Sequence, residues 1–365
     1  MTLGFGTETP LLQRKTMFLC VRIIEKANVV SIFYGFSSFT NNIFFRSLKE
    51  LKKIKMKTFD IVTLTVNPSV DKSTHFSGLI AEQKIRCATP QFDAGGGGIN
   101  VSKAISRLRG NSLAVFTSGG PVGEMLKDLV KKESVDFQAI ETKTATRENF
   151  IAVDDNTNSQ YRFGFTGDVL SDSEVKEVLE NISKLKPKFL VASGSLNEGL
   201  STDFYQKVAK IAKESNSKLI VDTSGEALKK VLETGAYLIK PNVGELAKLV
   251  GVERLEMEEV NEAAKKIIAK GGAEIVVVSL GPQGAVLVTK DDYEYVPAPN
   301  VAKKSTVGAG DSMVGGIVWA LSQNKSLKEV IRWGVACGSA ATMNEGTQLF
   351  KYEDANRLFE WLKNK

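Results

Sequence analysis

Two glycine-rich strings in this 365-residue chain set a polar side chain where a helix should begin. The first, STVGAGDSMVGG at 305–316, surrounds one acid, Asp311, with small residues. Beyond it, Met313, Val314, Ile317, Val318 and Leu321 follow helical spacing, so Gly308, Ala309, Gly310 and Asp311 fall at a helix N-terminus. The unpaired N–H groups of such a terminus attract anions, phosphoryl oxygens among them. An aspartate beside them has two readings. It caps the helix and does no chemistry, or it takes the proton of a hydroxyl attacking phosphorus. The second string, GGGGIN at 95–100, runs four glycines into an apolar-periodic stretch, 99–110. Glycine lets the backbone approach a ligand closely, and Asn100 adds a donor and an acceptor, which suits a sugar or a phosphate; a flexible linker is the competing reading.

An alternation of strands and helices must position these strings. From Met56 onward, apolar runs at 59–66, 112–120, 188–194, 218–225, 236–242 and 274–281 read as strands. Between and after them, 99–110, 123–133, 202–215, 226–233, 244–250, 257–270, 309–322, 326–343 and 353–363 read as helices. Repeated strand–helix units imply right-handed crossovers and a parallel sheet with helices on both faces, and continuous apolar strands fit a sheet buried on both sides. Each strand ends in a small or polar turn, and the carboxyl ends of such strands are where ligands bind. Residues 72–94 and 147–165 break the alternation and read as a small separate sheet, suited to a lid or a dimer contact, or else a surface hairpin.

Composition excludes several chemistries. One histidine, His75, rules out HExxH zinc sites and the kinase HRD motif, and it lacks a nucleophile elbow, so it reads as an ordinary surface residue. Cys20, Cys87 and Cys337 form no CxxC pair, which points to a reducing compartment. The net charge of +6 lies wholly in residues 1–55, with nine basic and three acidic residues; the rest balances at 39 of each, so no broad nucleic-acid footprint exists. Residues 1–55 show no clean period, and their apolar stretches are too short to span a membrane. They read as an extension outside the fold: non-native upstream translation, a tag or a disordered tail, or an organellar targeting peptide. No Walker A string is present, and the Rossmann dinucleotide fingerprint is lacking, which leaves a dehydrogenase as an outsider that failure to bind NAD would dispose of.

The ordered strings GGGGIN, KPNVGEL, SLGPQGA and STVGAGDSMVGG resemble the PfkB, or ribokinase-like, family of carbohydrate kinases, from about Met56 to Lys365. The resemblance implies a three-layer α/β sandwich with a mainly parallel central sheet and a small β lid, forming one domain over 56–365. It implies Asp311 as catalytic base, with Gly308, Ala309 and Gly310 as anion hole. Asp71 and Asn100 then bind sugar hydroxyls, with Gly95 and Gly96 allowing close approach. Arg147, Ser195 and Lys84 complete the sugar-phosphate set, and in a lid-mediated homodimer Lys84 could serve the neighbouring site. Lys240, Asn242 and the turn Ser279, Leu280, Gly281, Pro282, Gln283, Gly284 match the ATP site. Glu245 matches the acid that holds Mg²⁺ through water. Ser305, Val307, Ala341, Asn344, Gly346 and Gln348 match a K⁺ site, the last at a position where a near relative carries arginine. Gly97 stands where kinases of fructose 1-phosphate and tagatose 6-phosphate usually carry lysine. The implied reaction is therefore ATP-dependent phosphorylation of fructose 6-phosphate, with those two sugars as alternatives. Lys84, Lys240 and Asn242 also leave inhibition by a second MgATP open. A non-catalytic regulator would predict a damaged base or anion hole, and both are intact. The expected location is the cytoplasm, unless residues 1–55 are a targeting peptide.

Overall fold

The computed structural model describes residues 58–346 and 348–365, so the expectations for residues 1–55, with Cys20, lie outside the described residues. Nine strands form one sheet, in the order β13, β12, β11, β10, β9, β8, β1, β4, β5. They are β1 (Ile61–Thr65), β4 (Leu113–Ser118), β5 (Asp136–Glu141), β8 (Phe189–Ser193), β9 (Lys218–Asp222), β10 (Ala236–Ile239), β11 (Ala273–Ser279), β12 (Ala285–Val288) and β13 (Tyr293–Val296). Pairing is parallel from β11 to β5 and antiparallel from β11 through β12 to β13.

Strand side chains alternate faces, and the two sets bury against different helices. Phe189 and Val191 of β8 join a core with α1 (Gly97–Arg107), α8 (Ala309–Ser322), α9 (Leu327–Thr342) and α10 (Tyr352–Lys363). Leu190 and Ala192 face a core built by α3 (Asp172–Leu185), α4 (Phe204–Glu214), α5 (Gly225–Thr234), α6 (Val243–Val250) and α7 (Val260–Ala269). A third cluster packs α2 (Gly120–Lys132) against Ala114 and Phe116 of β4. The expected three-layer sandwich is thus observed, and the near-continuous apolar strands are explained by burial on both faces.

A second sheet has the order β3, β2, β6, β7, from β2 (Ser69–Phe76), β3 (Gln91–Gly95), β6 (Arg147–Asp154) and β7 (Ser159–Gly164). The expected segments 72–94 and 147–165 supply it, but β2 starts at Ser69, so Asp71 is itself on a strand of this small sheet. Three observed strands, β5, β12 and β13, have no counterpart in the sequence reading. β5 is a half-exposed edge strand without a clean period, and β12 and β13 are only four residues each. The first helix also differs from 99–110. It starts at Gly97, inside the glycine run, and stops at Arg107, because Leu108 caps it and Arg109 turns left-handed at φ 59°. His75 is a surface residue as expected, 44% exposed and 2.9 Å from Asp155. Cys87 is exposed, and Cys337 is buried, which pushes its thiol pKa up. No helix among the described residues is long and apolar enough to cross a membrane.

The contact that matters most for the site is between α1 and α8. A Cβ on Gly315 would meet the Ala104 Cβ at 2.5 Å and the Val101 carbonyl oxygen at 3.2 Å. Neither neighbour can swing aside, so the two helices touch only because residue 315 has no side chain. Gly315→Ala is expected to destabilise the fold by about 1–3 kcal/mol in urea titrations, the usual cost of overpacking; an unchanged midpoint would contradict the close approach.

Candidate active site

The strands β1, β8, β9, β10 and β11 are consecutive and parallel, so their carboxyl ends lie at one edge of the sheet, and the first turns of α1 and α8 meet through Asn100 and Asp311. The glycine run is an element junction rather than a linker. Gly96 caps α1 at φ 118°, a conformation that side chains rarely adopt. A Cβ on Gly95 would lie 2.5 Å from Ser69 Oγ and 2.6 Å from both Asp71 carboxylate oxygens. Glycine there leaves the Asp71 carboxylate room to face a ligand. Asp71 is buried, and its Oδ1 accepts hydrogen bonds from Ser69 Oγ and Asn149 Nδ2, both at 2.8 Å. Asn149 was not singled out from the sequence; its role follows only from the register that sets it opposite Asp71 across the β2–β6 pair.

Asn100 projects from the first turn of α1 and donates from Nδ2 to Asp311 Oδ2 at 2.9 Å. Its Oδ1 is buried and has no partner, so a hydrogen-bond acceptor is available beside the acid. Asp311 is the third residue of α8. The N-cap is Gly308, left-handed at φ 72°, and no side chain caps the helix. The plain capping reading of Asp311 is therefore set aside. Burial raises the Asp311 carboxyl to about 6; the Asp222 carboxylate adds to this, and the Asn100 donor and Lys240 partly offset it. A Cβ on Gly308 would meet Leu349 Cδ2 at 2.6 Å, so this helix entrance has no room for a side chain.

Asp222, at the end of β9, is a second acid that the sequence reading passed over, although an acid at a strand's carboxyl end in LIVDTSG was a usable signal. It pairs with Lys240 at 3.2 Å. Burial alone would lower the Lys240 ammonium, but the Asp222 carboxylate outweighs this and holds it above its ordinary value. A Cβ built on Gly310 would lie 3.5 Å from Lys240 Nζ, so the cation stands beside the N-terminus of α8.

The Asn242–Glu245 pair has a structural task as well. Asn242 Oδ1 accepts from the Glu245 N–H at 2.8 Å, and Glu245 Oε2 accepts from the Asn242 N–H at 2.9 Å, a capping box on the exposed start of α6. The next turn lies alongside, because the Ser279 N–H donates to the Pro241 carbonyl at 3.0 Å. Gly281–Gln283 form a single 3₁₀ turn, with Leu280 buried beneath it and Gly284 closing it at φ 106°. Tyr295 Oη donates to the Gln283 carbonyl at 3.0 Å.

Arg147 donates to the carbonyls of Phe165 at 2.9 Å and Asn67 at 3.2 Å, and to Asn149 Oδ1 at 2.8 Å. Burial lowers its pKa. Ser195 is exposed and accepts from Asn67 Nδ2 at 3.3 Å, which ties the β1 and β8 turns together. Lys84 is not brought to the Asp311 cluster; it is exposed and lines a separate pocket of about 390 Å³ with His75, Arg86 and Asp155. Of the six candidate K⁺ positions, Ser305 lies against the end of α9, its N–H donating to the Thr342 carbonyl at 3.2 Å. The Ala341 carbonyl accepts from the Asn344 N–H, Gly346 is left-handed at φ 56°, and the Gln348 carbonyl is held by Arg107. The Val307 N–H donates to Ser305 Oγ at 3.2 Å. Beneath the glycine run, Lys103 is fully buried, with Nζ donating to the Ala94 carbonyl at 3.3 Å, and its pKa is lowered by that burial.

A mainly parallel sheet with helices on both faces, a second four-stranded sheet and a glycine-fronted helix carrying an acid define the ribokinase-like kinase architecture. The chain belongs to the pfkB family of carbohydrate kinases, whose family model matches residues 55–354. It is 41% identical over 304 residues to the ATP-dependent 6-phosphofructokinase isozyme 2 of Escherichia coli, covering 83% of this chain and 98% of that protein. It is 34% identical over 293 residues to the 1-phosphofructokinase of Bacillus subtilis, covering 80% and 95%. A crystal structure of Escherichia coli phosphofructokinase-2 in complex with potassium superposes with a TM-score of 0.81 at 41% identity, covering 84% of this chain and 100% of that one.

The Asp311 carboxyl carries a stability consequence. Its pKa in the fold, about 6, exceeds its ordinary 3.8, so the ionised form costs stability above about pH 6, and the cost fades as pH falls toward 4. Asp311→Asn keeps an acceptor for Asn100 and removes the charge. The variant is expected to melt higher than wild type near neutral pH without ligands, with the gain shrinking on acidification; an equal gain at all pH values would show that the acid is not desolvated.

Proposed function

We propose that this chain is an ATP-dependent 6-phosphofructokinase, transferring the γ-phosphoryl group of ATP to the 1-hydroxyl of fructose 6-phosphate. The observation that carries this reading is the Asn100–Asp311 pair at the N-terminus of α8, with the Asp311 carboxyl raised to about 6. An ordinary aspartate is a weak base; one raised to about 6 is a better one and remains ionised near pH 7. As the 1-hydroxyl oxygen bonds to phosphorus and the bond to the ADP oxygen breaks, Asp311 takes the hydroxyl proton. The N–H groups at Gly308, Ala309 and Gly310 stabilise the charge on the transferring group.

Asp71 and Asn100 hold the sugar hydroxyls, with Gly95 and Gly96 giving them room. Arg147 and Ser195 meet the 6-phosphate, joined by Lys84 of a second subunit. Lys240, Asn242 and the turn from Ser279 through Leu280, Gly281, Pro282 and Gln283 to Gly284 hold the nucleotide. Among the described residues no cluster of three metal-ligating side chains exists, so no all-protein cage for Mg²⁺ is built. The donor set still fits an ion that keeps its waters, since only Oε2 of Glu245 is used by the capping box. Mg²⁺ bound with ATP supplies charge neutralisation on the phosphates, with Glu245 holding it through water. Neutral oxygens at Ser305, Val307, Ala341, Asn344, Gly346 and Gln348 would suit K⁺ rather than a divalent ion, with the Gln348 carbonyl already accepting from Arg107 and the Ala341 carbonyl from the Asn344 N–H. Exposed Leu79, Ile80, Phe163 and Phe165 give the small sheet an apolar surface, and the homodimer forms there. Lys84, Lys240 and Asn242 leave inhibition by a second MgATP open. The working compartment is the cytoplasm.

The Bacillus subtilis relative supports a second reading, fructose 1-phosphate as acceptor, with tagatose 6-phosphate alongside it; Gly97 argues for fructose 6-phosphate. Coupled ADP-release assays with each sugar phosphate decide, and a marked preference for either alternative would overturn the substrate assignment. Asp311→Asn is expected to abolish turnover while ATP binding by calorimetry stays nearly unchanged, and retained activity would remove Asp311 as the base. Glu245→Gln preserves the capping geometry, so melting should not change, but the Mg²⁺ concentration for half-maximal rate should rise several-fold; no rise would remove Glu245 from the metal site.

A further inference from the structure

We propose that Arg107, at the opposite end of α1 from the glycine run, is a positioning residue for the Gly308 anion hole. Its Nη1 donates to the Gln348 carbonyl at 2.6 Å and to the Phe350 carbonyl at 2.9 Å. Those are the carbonyls on either side of Leu349. Leu349 is held left-handed at φ 57°, a conformation that costs free energy for a side-chain-bearing residue and persists only when its surroundings enforce it. It is 1% exposed, and its Cδ2 occupies the space that a side chain on Gly308 would need. Arg107 therefore fixes the residue that backs the anion hole, without touching any ligand itself.

The guanidinium is fixed in turn. Its Nη2 donates to Glu133 Oε2 at 2.9 Å, and Glu133 caps α2. That leaves Nη1 oriented onto the two carbonyls, a planar arrangement that an ammonium cannot reproduce in full. The same helix carries Asn100 to Asp311 at its other end. One rigid rod thus sets both the base and the wall behind the phosphoryl site, and a displacement of about 1 Å at such a site can cost on the order of a hundredfold in rate.

The proposal rests on Gly308 being the anion hole. The test compares Arg107→Met, Arg107→Lys and Gly308→Ala in steady-state assays, with melting curves for each. Arg107→Met is expected to lower kcat by about ten- to a hundredfold while KM for ATP and for the sugar phosphate stays within about twofold. Arg107→Lys, which reaches one carbonyl, should recover part of that loss, and it stands as the test if the Met variant does not fold. A loss in either variant that only tracks the folded fraction, or that appears in both KM values rather than kcat, would make Arg107 merely structural and overturn the proposal. Unchanged kcat in the Arg107 variants with an impaired Gly308→Ala overturns it alone. Unchanged kcat in Gly308→Ala overturns the underlying reading with it.

Discussion

The structure turns on one desolvated carboxylate. In the proposed role of base, Asp311, which is half-buried, has to be largely desolvated and still face a hydroxyl. A single hydrogen bond, 2.9 Å from Asn100 Nδ2, reconciles the two by satisfying one oxygen from within the protein. The close approach of α1 and α8 at Gly315 and Ala104 brings their first turns within reach of that bond. The glycine run at 95–98 serves the same end. It starts α1 at Gly97, ahead of Asn100, and at Gly95 leaves the space that the buried Asp71 carboxylate occupies.

Charge around this acid is balanced locally. Asp222 and Lys240 neutralise each other at 3.2 Å, and both act on Asp311 with opposite sign. In a low-dielectric site such charges are felt strongly, and an anionic phosphoryl group arriving beside Lys240 offsets the one cation that favours the ionised acid. Asn242 and Glu245 show how economical the arrangement is. The capping box that starts α6 holds one carboxylate oxygen still and does not use the other.

The sequence showed much of this because local pattern and chemistry coincide in it. Continuous apolar strands, turns at their carboxyl ends and glycine before Asn100 and Asp311 are all short-range signals. What stayed hidden depends on tertiary contact. Asn149 meets Asp71 only through strand register, and Lys103 lies under β3 only because α1 packs there. Arg107 reaches Gln348 and Phe350 across 241 and 243 residues of chain. Short or half-exposed edge strands such as β12, β13 and β5 carry too little periodicity to be read. Lys84 is the converse case: a motif match that a single chain does not bring to the site, and that needs a second subunit to have a role in it.

The most direct test of the account is the ionisation of Asp311 itself. Carbon-13 labelling of the aspartate carboxyls, with the resonance assigned by its loss in Asp311→Asn, allows its titration to be followed by NMR in the ligand-free protein. The account predicts a midpoint near 6, shifted by burial and by Asp222. A midpoint at or below the ordinary aspartate value of 3.8 would show a solvated acid, and the catalytic role derived from its desolvation would fall with it.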